Sequence, residues 1–116
     1  MKNIDRLTVA ALALLASSVL HAQSAAYSKE EEPLVERAKV AAAYGLKDPS
    51  SAQFRNLFVS YMPNYVCGEI NAKNSYGAYV GFKLFFYDDN TNEVTRIDPE
   101  DTFYEVESQM MKMICK

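Results

Sequence analysis

Two cysteines constrain this chain more than any other feature. Cys67 and Cys115 are the only cysteines in 116 residues, and they follow an N-terminus that reads as an export signal. Lys2 and Arg6 form a positive segment, and Leu7 to Leu20 is an apolar run interrupted by Thr8, Ser17 and Ser18. Small residues follow at Ala22, Ala25 and Ala26. That order predicts a secretory leader, and the run is too short and too rich in small residues for a membrane span. Cleavage is expected after Ala22, leaving Gln23 first, with Ala25 and Ala26 as neighbouring choices. No cysteine follows the apolar run, which disfavours a lipoprotein. An exported pair of cysteines in a small domain is expected to form one disulfide. It closes a loop of about 49 residues and is worth about 4 kcal/mol on the chain-entropy model. That is comparable with the whole stability of a small domain. A metal or redox pair is disfavoured, because no histidine lies nearby and the C-x-x-C spacing is absent.

Removing 22 of the 116 residues leaves 94, enough for one small domain. The expected organisation is a signal peptide over 1–22, a flexible tail over 23–27 and a single α+β domain over 28–116. The 12 basic and 15 acidic residues become 10 and 14 once Lys2, Arg6 and Asp5 are removed, a net charge of −4. A mildly acidic domain with no basic cluster in its sequence is a poor ligand for nucleic acid. It is equally poor for an anionic lipid surface, and no stable membrane insertion is expected after cleavage.

Ser28-Lys29-Glu30-Glu31 has capping-box spacing, and Pro33 suits a first helical turn. Leu34, Ala38, Ala41 and Ala42 recur at helical spacing, and Gly45 closes the segment as a C-terminal cap. Asp48-Pro49 predicts a second short turn of helix through about Phe54, with Asp48 capping its free N–H groups, the alternative being a plain turn. The period then changes. Strands are predicted over Leu57–Met62, Tyr65–Lys73, Ala78–Asp88 and Glu93–Ile97, with turns at Pro63-Asn64, Asn74–Gly77 and Asp88–Asn92. Asp98-Pro99-Glu100 opens a last helix, with Phe103, Val106, Met110, Met113 and Ile114 predicted on its inward face. The order predicts a two-layer α+β fold: an N-terminal helix, three or four antiparallel strands and a C-terminal helix tied to the sheet by the disulfide.

Alternation divides the central hairpin into two faces. Val66, Gly68, Ile70 and Ala72 are expected to meet Val80, Phe82, Leu84 and Phe86 beneath the helices. The opposite face then carries Glu69, Asn71, Lys73, Asn74, Tyr76 and Tyr79, a polar and aromatic set suited to binding a partner. The alternative is the solvated side of a sheet, with Glu and Lys paired across strands. Cys67 falls on this second face although Cys115 ends a helix expected on the first. Either a bulge near Gly68 reverses the alternation, or the bridge wraps an edge. Arg55 is expected to clamp Glu69 or Asp48, with anion binding as its other role.

The segments Asp48-Pro49-Ser50-Ser51-Ala52-Gln53-Phe54-Arg55-Asn56, Val66–Asn74 and Tyr76–Phe82 together resemble a family of small secreted proteobacterial proteins. Its pattern is close to D-P-x-S-A-x-F-R-N followed by C-G-E-x-N-x-K-N-x-x-G-x-Y-x-G-F. Ala78 stands where relatives often carry a second glycine. The resemblance covers roughly a third of the chain, residues 48 to 82. It implies a secreted or periplasmic domain and brings no activity with it.

Chemistry is sparse. The one histidine, His21, lies in the leader, which removes Ser-His-Asp, Cys-His and ordinary catalytic zinc schemes from the rest. No phosphate-binding glycine loop or dinucleotide fingerprint is present. Glu69 with Asp88 or Asp89 could be offered for a two-carboxylate mechanism, but nothing singles them out. Asp88, Asp89, Asn90, Asn92 and Glu93 are oxygen-rich but lack the calcium-loop spacing and its glycine, so they read as a turn. The expectation is a non-enzymatic periplasmic or secreted binding protein of inhibitor or immunity type, without cofactor or metal. Its expected partner is another protein: a toxin, an enzyme or an envelope component. The alternative is a structural or envelope-associated protein with no dedicated ligand site.

Overall fold

The computed structural model describes residues 26–116. The predicted leader, and the predicted tail up to Ala25, lie outside the described residues. Tyr27 closes that tail but packs against the main core, so the tail does not run free to its last residue.

Helix α1 spans Glu32–Ala43. Ser28 and Glu31 make the reciprocal capping-box bonds, Ser28 N–H to Glu31 Oε2 at 2.8 Å and Glu31 N–H to Ser28 Oγ at 3.3 Å. They brace the turn ahead of the helix, and Pro33 sits in its first turn, where a missing donor costs nothing. Gly45 follows the helix at φ +84°, a conformation that suits a residue without Cβ. A 3₁₀ turn at Pro49–Ser51 comes next. It is shorter than predicted, and the Asp48 side chain does not cap it. The carboxylate instead accepts the Ser50 hydroxyl at 2.8 Å, while the Asp48 carbonyl accepts the Ser51 hydroxyl at 2.7 Å.

Four antiparallel strands form a meander in sequence order. They are β1 (Gln53–Val59), β2 (Tyr65–Asn71), β3 (Lys83–Asp88) and β4 (Glu93–Arg96), and α2 (Tyr104–Ile114) follows. β1 begins four residues earlier than predicted and ends three earlier. β3 begins five residues later, because 72–82 forms a loop with a single bridge, Lys73 to Tyr79.

The pairing of β2 with β3 is one residue out of the predicted register. Val66 faces Tyr87, Gly68 faces Phe85 and Ile70 faces Lys83. Val66, Ile70, Phe85 and Tyr87 share a core with Val35, Ala38 and Ala42 of α1. The small alanines let the helix approach closely, and Phe54 meets Phe85 edge-to-face at 6.0 Å. Cys67 and Phe86 point the other way and form a second core with Ile97 and Ile114. The helices therefore cover opposite faces of the sheet, giving three layers where two were predicted.

This arrangement resolves the position of Cys67. The alternation of β2 is unbroken, and Cys67 reaches Cys115 because α2 lies on its own face, with Cα atoms 5.9 Å apart. A bulge does sit at Gly68, but on β1. Arg55 pairs with Glu69 and Phe58 with Cys67, so Asn56 and Leu57 together oppose Gly68. Asn56 takes up φ +54° there. Gly68 leaves room for Leu57 here: a Cβ would lie 2.5 Å from Leu57 Cδ2, so a larger residue would have to displace that side chain.

The predicted inward face of α2 is corrected as well. Ile114 is its one buried residue, and Tyr104 and Met111 are half-buried against the second core. Phe103, Val106, Met110 and Met113 are exposed. The buried Ser60 hydroxyl donates to the Ile114 carbonyl, and Tyr61 Oη donates to that of Met113 at 3.3 Å. These bonds satisfy carbonyls that a helix end leaves open.

Candidate functional site

The residues expected to form a binding face mostly serve the fold. Glu69 is gripped by Arg55, with Nε to Oε2 and Nη2 to Oε1 both at 3.1 Å, and by Asn56 Nδ2 at 2.6 Å. The Arg55 guanidinium also stacks on the Phe82 ring, 3.8 Å from its centre. These bonds, that from Arg55 first, hold the Glu69 carboxyl below the usual carboxylate range. Of the roles expected for Arg55, the structure forms the clamp, with Glu69 and not Asp48 as its partner.

Asn71 is buried, and its Oδ1 accepts the Gly81 N–H at 3.0 Å. Asn74 Oδ1 accepts the N–H groups of Tyr76 and Ala78 at 2.9 and 3.1 Å. Ser51 then fastens the loop to the 3₁₀ turn. Its hydroxyl accepts the Lys73 N–H at 2.9 Å, and its carbonyl accepts Tyr79 Oη at 3.0 Å. The Lys73 ammonium lies 5.5 Å from the centre of the Tyr79 ring. Of the six residues, Tyr76 alone stands clear, 94% exposed at the loop tip. Five of the six residues therefore also take part in anchoring the loop and its flanking strands.

The oxygen-rich turn after β3 is likewise occupied by structure. Asp89 receives Arg37 of α1 through two bonds of 2.9 and 3.0 Å and also accepts Tyr87 Oη at 2.8 Å. The guanidinium keeps the Asp89 carboxyl low, and burial pushes the Tyr87 hydroxyl up. Asp88 accepts Tyr65 Oη and the Asn90 N–H. Among the described residues, no three His, Cys, Asp or Glu side chains converge as metal ligands.

An unpredicted groove opens between α1 and β4. It encloses about 640 Å³, within the usual range for ligand sites. Val40, Ala41 and Tyr44 form the helix wall, and Val94 and Arg96 the strand wall. Val40 is 72% exposed and Tyr44 84%. Arg96 is held in place by the end of α1, its Nη2 donating to the carbonyls of Ala42 and Tyr44 at 2.5 and 3.1 Å. The spacing of Val40 and Tyr44, one turn apart on the flank away from Val35, was the signal in the sequence.

Among the described residues, the strand wall is also an unpaired sheet edge. Ile97 N–H donates to the Leu84 carbonyl at 2.8 Å, and antiparallel pairs alternate between bonded and non-bonded. In this register Thr95 and Glu93 bond to β3, so the N–H and C=O groups of Val94 and Arg96 face outward. The β1 edge differs, because its bulge interrupts the row of backbone groups.

Comparison with protein-family models, curated proteins and solved structures finds no match to this chain.

Proposed function

We propose that this chain is an exported, non-enzymatic binding protein, and that the α1–β4 groove holds an extended segment of a partner protein. Strand addition supplies affinity through main-chain bonds, and alternate side chains supply specificity. The observation that carries the reading is the juxtaposition of outward backbone groups at Val94 and Arg96 with the exposed side chains of Val40 and Tyr44. The leader read in the sequence and the Cys67–Cys115 bridge support export. No described helix is long and apolar enough to cross a membrane. Inhibitor or immunity-type action, on a toxin, an enzyme or an envelope component, is the class that suits capture of a partner without catalysis.

Selection of displayed peptides against the oxidised protein tests this. Enrichment of extended sequences with apolar residues at alternate positions is expected. Binding should fall in Tyr44→Ala and in Val94→Pro, which removes one outward N–H and leaves the bonds between β3 and β4 intact. No enrichment, or enrichment that both variants retain while folded, overturns the reading and favours a structural protein without a ligand site.

A further inference from the structure

The sequence contains no basic cluster, but the fold makes one. A second cleft of about 220 Å³ lies on the α1 face of the sheet, beyond the end of the helix. Its charged lining is Lys47, Lys73, Lys83 and Arg96, with no carboxylate among the lining residues. This segregation occurs in a chain where acids outnumber bases by 15 to 12. Like charges gathered around a small volume repel one another and focus a positive potential into it.

Neutralisation within the cleft is incomplete. Lys83 is paired with Asp98 at 2.6 Å. Arg96 faces only helix carbonyls, and its Nε is a buried donor without an acceptor. The Lys73 ammonium lies over the Tyr79 ring, a contact that leaves its charge whole. The floor is apolar, made by the buried Ile70 and Ala72, and Val80 contributes from the loop. Cations around an apolar floor call for a ligand with one anionic end and a short hydrocarbon body. The volume is below that of drug-sized sites, which restricts the body to a few carbons.

We propose that this cleft binds a small organic anion, a short-chain monocarboxylate whose head meets Lys47 and Lys73 and whose tail lies on Ile70. The site is separate from the α1–β4 groove except for Arg96, which lines both. It joins Lys73, Asn74 and Gly81 of the central segment to Lys47, which no face of the hairpin contains.

Amide chemical shifts of the oxidised protein, titrated with pentanoate, pentanamide and inorganic phosphate, test the proposal. Pentanoate is expected to bind near the millimolar range, moving the amides of Ile70, Ala72, Lys73 and Gly81. Pentanamide should leave them in place. Lys47→Ala and Lys73→Ala should each weaken pentanoate about five- to tenfold, while Lys116→Ala, an equal change in net charge, should not. Added salt should weaken it further. Lys47 lies outside the loop anchorage, so its variant keeps the test valid if Lys73→Ala disturbs the loop. Equal shifts with phosphate would mark an adventitious ion only and overturn the proposal. So would equal binding of the amide, or pentanoate binding unchanged in Lys47→Ala. Tyr44→Ala and Val94→Pro should retain pentanoate binding, so this result and that for the groove fail independently.

Discussion

At the scale of single residues, the centre of the molecule is the contact of Arg55, Asn56 and Glu69 across the β1 bulge. The bulge adds one residue to β1, and Asn56 in its left-handed conformation turns its carboxamide onto the carboxylate that Arg55 holds. Phe82 covers the guanidinium from the loop side. The contact thus locks β1, β2 and the 72–82 loop together. Arg55→Ala should cost about 1–2 kcal/mol in urea unfolding, since the pair is partly exposed and Asn56 still serves Glu69. Arg55→Lys should recover only part of this, having neither the planar fork nor the stacking surface. A loss below a few tenths of a kcal/mol in Arg55→Ala would show that the clamp contributes little. The clamp from Arg55 to Glu69 or Asp48 is legible in the sequence; the choice of Glu69, and the part played by Asn56, are not. The bulge that brings them together packs Leu57 against Gly68, which alternation does not encode.

At the scale of elements, α2 is expected to depend on its disulfide more than on its packing. It buries Ile114 fully and only parts of Tyr104 and Met111. Its apolar stripe at Phe103, Val106, Met110 and Met113 lies outside the core. With a closed loop of about 49 residues, Cys67→Ala/Cys115→Ala should lose about 4 kcal/mol. Hydrogen exchange should then show the α2 amides losing protection before those of β2 and β3. Equal protection of α2 in the double variant would mean that side-chain packing holds the helix. Periodicity pointed to the wrong face because the exposed stripe is more apolar than the docked one. The better guide was Cys115 itself, since Met111 and Tyr104 lie one and three turns before it on the bridged side. The register of β3 failed for a related reason. Leu84-Phe85-Phe86-Tyr87 is apolar at every position, and a strand covered on both faces carries no alternation to read. The four strands, the disulfide and the order of helices were legible because turn residues and cysteine count mark them without reference to faces.

At the scale of the whole molecule, three carboxylates in separate places set the response to acid. Glu69 binds Arg55, Asp89 binds Arg37 and Asp98 binds Lys83, joining β1 to β2, α1 to the turn after β3, and β3 to the segment before α2. Each carboxyl is held below its ordinary value, in each case chiefly by the bond from its cationic partner. In the unfolded chain these groups take up protons near pH 4, before the folded protein does. The unfolded state therefore binds more protons in that interval, and stability rises with pH across it. The contribution should be complete above about pH 5 and disappear as pH falls through the lower folded values. The alkaline limb has the opposite sign. Burial, with help from Asp88 and Asp89, raises the hydroxyls of Tyr65 and Tyr87. Their contribution is present below about pH 10 and is lost as pH climbs through the raised values. Urea unfolding from pH 2.5 to 11 should give a plateau with two falling limbs. Glu69→Gln/Asp89→Asn should flatten the acid limb, because the amides cannot titrate, while lowering the plateau through loss of charged partners for Arg55 and Arg37. High salt should weaken the exposed Lys83–Asp98 share in both proteins. An acid limb equally steep in the double variant would transfer the acid response away from these pairs, and with it the claim that they fasten these elements together.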